Sequence, residues 1–238
     1  MIGGFIVSGD VEKPLVVRGI GPSLNALGVK GALADPALEL YDSSGALVAQ
    51  NDDWGTLPKG SIPDGLQPSN PKEALLNVTL PAGSYTAVLR GVNGSPGVAL
   101  CELYDLDPEL SSVRNISTRG EVGTGDDVLI GGFIISGDDP TQLMVRAIGP
   151  SLGAYGVTGP LADPVLELHG ADGSLIYQND NWRSEQEQQI EATQLAPSDD
   201  RESAIIATLP PGQYTAVIRG ANGTSGVALV EVYNLEQP

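Results

Sequence analysis

The sequence repeats itself at a spacing of 128 residues, and this repeat limits the folds open to the chain. Three segments of the first half return in the second: 2–6 as 130–134, 18–24 as 146–152, and 80–88 as 209–217. The last match has a spacing of 129, so one residue is inserted after Trp182. Insertions are best tolerated in surface loops, which places residues 55–72 and 183–201 outside the sheets.

Each copy consists of short apolar or alternating runs separated by Gly, Pro and Asp, a pattern typical of β-sandwiches. The high content of Gly (31) and Pro (18) also favours strands and turns over helices. We therefore predict an all-β chain with two tandem jelly-roll-like antiparallel β-sandwich domains. In the first copy we expect strands at 3–8, 14–19, 37–42, 46–50, 74–80, 84–91 and 97–105. In the second copy we expect a short helix near 184–193.

The repeat also predicts the domain limits. We expect a first sandwich over 1–108, a linker over 109–128 and a second sandwich over 129–238. The linker contains a strand-like run, formed by Val113, Arg114, Asn115, Ile116, Ser117 and Thr118. Because this run occurs once for two modules, one sandwich is expected to keep an open edge. Either subunits exchange this strand and build filaments, or the sequence is a fragment of a longer chain.

Charge restricts the partners of this chain. Thirty acidic against 12 basic residues give a net charge of −18, which disfavours nucleic acid and anionic membranes. No segment approaches the roughly 20 apolar residues of a membrane span, so membrane insertion is not expected. The expected partners are another copy of the chain, a cell surface or an extracellular polymer. The single cysteine, Cys101, excludes an intramolecular disulfide.

The duplication tests each candidate catalytic residue, since a group that the module requires should occur in both copies. His169 corresponds to Tyr41 and Cys101 to Val230, so a histidine-based triad is not predicted in the first copy. The charged residues that recur are Glu39/Glu167, Glu73/Glu202, Glu102/Glu231, Arg18/Arg146 and Arg90/Arg219. Paired carboxylates would suit a glycosidase, but we expect these charges to form ion pairs across the sandwich. The chain is not predicted to be an enzyme.

Two Asx clusters are the candidate metal ligands: Asn51, Asp52 and Asp53 in the first copy, and Asn179 and Asp180 in the second. Clustered oxygen ligands suit calcium, although Asx side chains also cap loop backbone. No cofactor is required under either interpretation. Trp54 and Trp182, which follow these clusters, either stack on a sugar ring or anchor a loop to the core.

The run 35–45, followed by 51–54 and 80–88, resembles tandem modules of large secreted proteins of environmental bacteria. It is more distantly similar to bacterial pre-peptidase C-terminal (PPC-like) domains. The resemblance implies an extracellular or cell-surface location and a role in attachment or targeting. We therefore expect an extracellular structural or adhesive repeat module that polymerises into filaments by strand complementation. The alternative is a carbohydrate-binding accessory module of a secreted hydrolase.

Overall fold

The computed structural model describes residues 1–58, 60–107 and 112–235, and these form mostly antiparallel β-sheet. The predicted all-β class is confirmed. The chain divides into two compact units, Met1–Arg114 and Asn115–Pro238. This division lies six residues beyond the predicted end of the first sandwich, and part of the predicted linker, 109–111, lies outside the described residues.

The described residues of the first unit form seven strands that pair in antiparallel fashion. The strands are β1 (Ile2–Ser8), β2 (Lys13–Ile20), β3 (Pro36–Asp42), β4 (Leu47–Asn51), β5 (Ala74–Leu80), β6 (Gly83–Gly91) and β7 (Leu100–Asp105). Within the unit, neighbouring strands follow the order β1-β6-β3-β4 on one side and β5-β2-β7 on the other. All seven predicted strands are present, with ends that differ by three residues or fewer.

The second unit repeats this arrangement and adds one strand. Its elements are β8 (Ser112–Val122), β9 (Leu129–Ile135), β10 (Thr141–Ile148), β11 (Pro164–Gly170), β12 (Leu175–Asn179), α1 (Glu187–Ala192), β13 (Ser203–Leu209), β14 (Gly212–Gly220) and β15 (Gly226–Asn234). One sheet has the order β12-β11-β14-β9, and the other has the order β13-β10-β15-β8. Helix α1 lies within the range predicted for it.

The core of the second unit lies between its two sheets, as in a sandwich. Leu143 and Val145 of β10 pack in one buried cluster with Leu166 and Leu168 of β11, which belongs to the other sheet. Alternate residues of these strands face inward because side chains in a strand alternate between its two faces. The corresponding residues of the first unit, Leu15, Val17, Leu38 and Leu40, are equally buried.

Matching hairpins connect β3 to β4 and β11 to β12. Gly173 takes a φ of 79°, in the left-handed region that favours glycine. The carboxylate of Asp172 accepts a hydrogen bond from the Ser174 amide at 3.0 Å. Hydrogen bonds from Ser174, led by that of its hydroxyl, lower the pKa of Asp172 below its usual value. The turn is therefore closed by its own side chains.

The helices in the described part of the chain are all short. None of the helices found there combines the length and the apolar character needed to cross a bilayer.

Candidate functional site

The recurrent carboxylate of Glu202, which precedes β13, has no solvent exposure. Its Oε1 accepts hydrogen bonds from the amides of Gly149 and Ser151, both at 3.0 Å, and from the Ser151 hydroxyl at 2.6 Å. Its Oε2 accepts one from the Asp199 amide at 3.3 Å. Backbone donors thus stabilise the buried carboxylate, which joins the turn after β10 to the loop before β13.

Glu73 makes the same contacts in the first unit and is also fully buried. It accepts from the amides of Gly21 at 3.3 Å, Ser23 at 2.9 Å and Asn70 at 3.3 Å, and from the Ser23 hydroxyl. The expectation that the recurrent glutamates pair with arginine is therefore wrong for Glu73 and for its counterpart. The amides that surround each carboxylate occupy the position expected for a guanidinium group.

A second recurrent cluster joins Arg146 of β10 to Glu231 of β15. Arg146 Nε donates to the glutamate Oε2 at 3.0 Å, and its Nη2 donates to the Tyr233 hydroxyl at 3.0 Å. The guanidinium also lies 5.0 Å from the centre of the Tyr233 ring, a cation–π distance. In the first unit Arg18, Glu102 and Tyr104 repeat this cluster, with an Nε–Oε2 distance of 2.8 Å.

These ion pairs lie within one sheet and do not cross the sandwich as expected. Arg146 and Glu231 are direct cross-strand neighbours in the pairing of β10 with β15. Directly opposite residues of an antiparallel pair project on the same face, so opposite charges meet there. The arginine also reaches the loop outside the sheet, because its Nη1 donates to the carbonyl of Leu195. The cluster therefore fastens the loop to the sheet.

The tyrosines of these clusters remain protonated at neutral pH. Burial and the neighbouring Glu231 raise the pKa of Tyr233 to about 12. Its hydroxyl donates to Glu231 Oε1 at 2.8 Å. Burial also raises the pKa of Tyr104, whose hydroxyl donates to Glu102 Oε1 at 3.0 Å. These tyrosines were not among the residues predicted to matter, although their recurrence at the repeat spacing indicated a role common to both copies.

The third recurrent carboxylate lies on a more open sheet face. Glu167 lines a shallow depression of about 350 Å³ with His169 and Arg219, and the His169 Nε2 lies 3.0 Å from Glu167 Oε2. In the first unit the Tyr41 hydroxyl donates to Glu39 at 2.7 Å. The imidazole of His169 therefore contacts Glu167 in the same way as the hydroxyl of Tyr41 contacts Glu39.

Cys101 of β7 is partly buried. Burial, followed by the charge of Glu102, raises the pKa of its thiol to about 12. The thiol is therefore protonated at neutral pH and is a poor nucleophile.

The predicted calcium ligands lie at the ends of β4 and β12 and in the turns that follow these strands. The Asn179 side chain accepts from the Ala204 amide at 3.1 Å and donates to the Asn181 carbonyl at 3.2 Å. Asn51 makes the corresponding contacts with Leu75 and Asp53. Asp52 and Asp180 are exposed. Among the described residues no three His, Cys, Asp or Glu side chains are placed to hold a metal, and calcium binding stays a prediction.

Both tryptophans anchor the loop that follows them. Trp182 is buried at 2% exposure, and its indole N–H donates to the Asp199 carbonyl at 3.2 Å. Trp54 is partly buried, and its indole N–H donates to the Asn70 carbonyl at 2.8 Å. With the ring packed and its N–H engaged, neither indole is arranged as an open stacking platform for a sugar.

The predicted assembly strand, 113–118, lies inside β8. The pairing of β8 with β15 runs from Asn115, opposite Tyr233, to Val122, opposite Gly226. Ile116 and Val122 contact the core of the second unit. The side chain of Arg114 lies outside the described residues. In this chain, β8 therefore completes a sheet of the second unit.

Comparison with known proteins leaves the family of the chain open. No family model matches it, and no curated protein matches it. A protein of Eubacterium rectale with a provisional description as secreted is 9% identical, with 96% of this chain and 68% of that chain covered and a TM-score of 0.23. The VP2 subviral particle of infectious bursal disease virus is 13% identical, with 97% and 58% covered and a TM-score of 0.21. TM-scores this low carry no argument about function.

Proposed function

We propose that the chain is a non-enzymatic structural or adhesive repeat module that acts outside the cell through its surfaces. The proposal rests on what the recurrent charged residues do: they hold turns and loops in place. Glu73 and Glu202 hold turns, and Arg18 and Arg146 hold loops to sheets by the same contacts in both units. The duplication has thus preserved the side chains that support the sandwich. Within this proposal each unit is assigned a jelly-roll-like topology.

A recurrent apolar surface supports the adhesive part of the proposal. The strands after the two hairpins expose large apolar side chains at equivalent positions, Leu47 (49%) and Val48 (42%) in β4, Leu175 (53%) and Ile176 (37%) in β12. Exposed apolar groups that recur at one place in a module are typical of a contact surface. We call these four residues the hairpin patch.

The carbohydrate-binding alternative receives less support. The two tryptophans, which were the candidate sugar-binding rings, are engaged in the fold: Trp182 is buried, and Trp54 has its N–H bonded to the loop that follows it. The acidic surface and the resemblance to modules of exported proteins support the extracellular assignment. Calcium is not required for the proposed role.

An adhesion assay tests the proposal. Beads coated with the chain should retain bacterial cell envelopes or insoluble extracellular polymer, and replacing all four residues of the hairpin patch by Ser should abolish most of the retention. A matched variant with conservative substitutions at two partly exposed strand positions, Thr86→Ser and Thr215→Ser, should retain fully, and both proteins should unfold at wild-type denaturant concentrations. Retention that is unchanged in the patch variant, or turnover of a glycoside by the wild-type chain, would contradict the proposal.

A further inference from the structure

Strands β7 and β15 occupy the same place in the two units, but they differ in how many neighbouring strands pair with them. Each pairs on one side with the strand that carries the recurrent arginine, β2 or β10. On its other side β15 pairs with β8. In the described part of the chain, β7 is the last strand of its sheet.

The lengths of these strands reflect this difference. Strand β15 has nine residues, from Gly226 to Asn234, whereas β7 has six, from Leu100 to Asp105. The additional residues of β15, 226–228, are those that pair with residues 122–120 of β8. Their counterparts 97–99 lie outside β7, although their sequence, Gly-Val-Ala, is identical. The neighbouring strand thus determines how far this segment is extended.

Burial differs in the same direction. Ala228, Val230 and Val232 of β15 are 0%, 2% and 7% exposed. Their counterparts Ala99, Cys101 and Leu103 are only partly buried. Val98 and Leu100, next to them, are 50% and 43% exposed. The first unit therefore presents apolar side chains along a sheet edge, a combination that favours addition of a strand.

We propose that β7 is an acceptor edge for a strand with the sequence pattern of β8, supplied by a second polypeptide. This inference rests on the proposed function and identifies the partner through which the module assembles. The register follows from the second unit. Ile116, Thr118 and Gly120 face Val232, Val230 and Ala228 there, so the equivalent donor residues would face Leu103, Cys101 and Ala99.

The chemistry of the donor is defined by these positions. It is extended, with an apolar residue opposite Leu103 and a small residue opposite Cys101. It carries a small residue opposite Ala99, as β8 does at Gly120, where an added Cβ would lie 3.0 Å from the Leu129 side chain. Backbone hydrogen bonds would supply affinity, and the alternating side chains would set the register.

Cys101 makes this register testable, because it is the only cysteine of the chain. The probe is a synthetic peptide with the sequence of residues 115–122, added to the intact chain. A Thr118→Cys peptide would place its thiol directly opposite Cys101, within disulfide range. A Ser117→Cys peptide would direct its thiol to the other face of the sheet. Each peptide is added as its mixed disulfide with glutathione, so that the Cys101 sulfur forms the new disulfide while the old one breaks and reduced glutathione leaves. Both peptides meet the same Cys101, so the ratio of their capture rates reports geometry.

We expect one peptide to bind per chain, and capture of the Thr118→Cys peptide on the order of tenfold faster than that of the Ser117→Cys peptide. The Cys101→Val variant, which carries the residue of the second unit, should bind the unmodified peptide normally and capture neither. A peptide with Ile116→Asp should lose binding. Equal capture rates, or no binding by a chain whose tryptophan fluorescence is native, would overturn the proposal.

Two further outcomes separate this inference from the proposed function. Adhesion through the hairpin patch without peptide capture would overturn the acceptor edge and leave the adhesive role intact. Capture without adhesion would support the edge and contradict the adhesive role. The chain alone could instead form dimers that a Leu103→Lys substitution dissociates. This result would show that two β7 edges pair with each other, and it would overturn a β8-type donor.

Discussion

The carboxylate of Glu202 accepts hydrogen bonds from both the amide and the hydroxyl of Ser151, at 3.0 and 2.6 Å. The two residues are 51 positions apart in the sequence. A buried carboxylate is stable only where enough donors surround it, and here backbone amides provide most of them.

Replacing Glu202 by Gln should therefore destabilise the second unit. The amide would direct an N–H group at one of the present donors, and the cost should be about 2–4 kcal/mol of unfolding free energy. Urea denaturation followed by Trp182 fluorescence in a Trp54→Phe background measures this change. Ser151→Ala, which removes one hydroxyl donor, is the matched control and should cost about 1 kcal/mol. Wild-type stability of the Gln variant would refute the assigned role.

Arg146→Met should also destabilise the second unit, by about 2–3 kcal/mol, because it leaves the largely buried Glu231 without its cation. Arg219→Met is the control. Arg219 is 42% exposed and lies 3.8 Å from Glu167, so its loss should change stability by less than about 0.5 kcal/mol. The same denaturation experiment compares them. Equal effects of the two substitutions would show that the buried cluster has no special structural role.

Asp163 provides a prediction about pH. Its Oδ1 is buried and has no hydrogen-bond partner among the described residues, and burial, followed by the charge of Asp180, raises its pKa. A carboxyl whose pKa is higher in the folded protein than in the unfolded chain destabilises the fold once the pH exceeds the folded value. Asp163→Asn should therefore raise stability at pH 7, and this gain should shrink as the pH falls through the raised pKa.

The counterpart of this residue supplies the control. Asp35 forms an ion pair with Lys72, with an Nζ–Oδ2 distance of 3.0 Å. Asp35→Asn should therefore give no stabilisation at pH 7. Melting curves of both variants between pH 3 and 8 test the pair. A gain from the Asp35 substitution equal to that from Asp163→Asn, or a gain that grows at low pH, would contradict the assignment.

The all-β class and the strand positions were predictable because their signals are local or repeated. Turn residues such as Asp42 and Gly45 mark the strand ends, and the repeat supplied a second reading of every strand. The roles of Glu73 and Glu202 were not predictable, because their partners are backbone amides that no residue type identifies. The recurrent serines at 23 and 151 were the one sequence signal for these contacts.

The sequence predicted a strand at 113–118, but it did not predict which sheet this strand joins. Its pairing with β15 joins residues that are distant in the sequence, and only the fold brings them together. The unequal coverage of β7 and β15 could not be foreseen for the same reason. Sequence placed Cys101 and Val230 at equivalent positions, whereas their burial depends on a neighbouring strand.

We infer that the two units share one strand arrangement and differ in whether the last strand in common, β7 or β15, has a second neighbouring strand. Amide hydrogen exchange tests it most directly. In β7 the amides that face away from β2 should exchange much faster than their counterparts in β15, while the amides bonded to β2 and β10 should be protected in both units. Equal protection of the outward amides of β7 and β15 would contradict the claim.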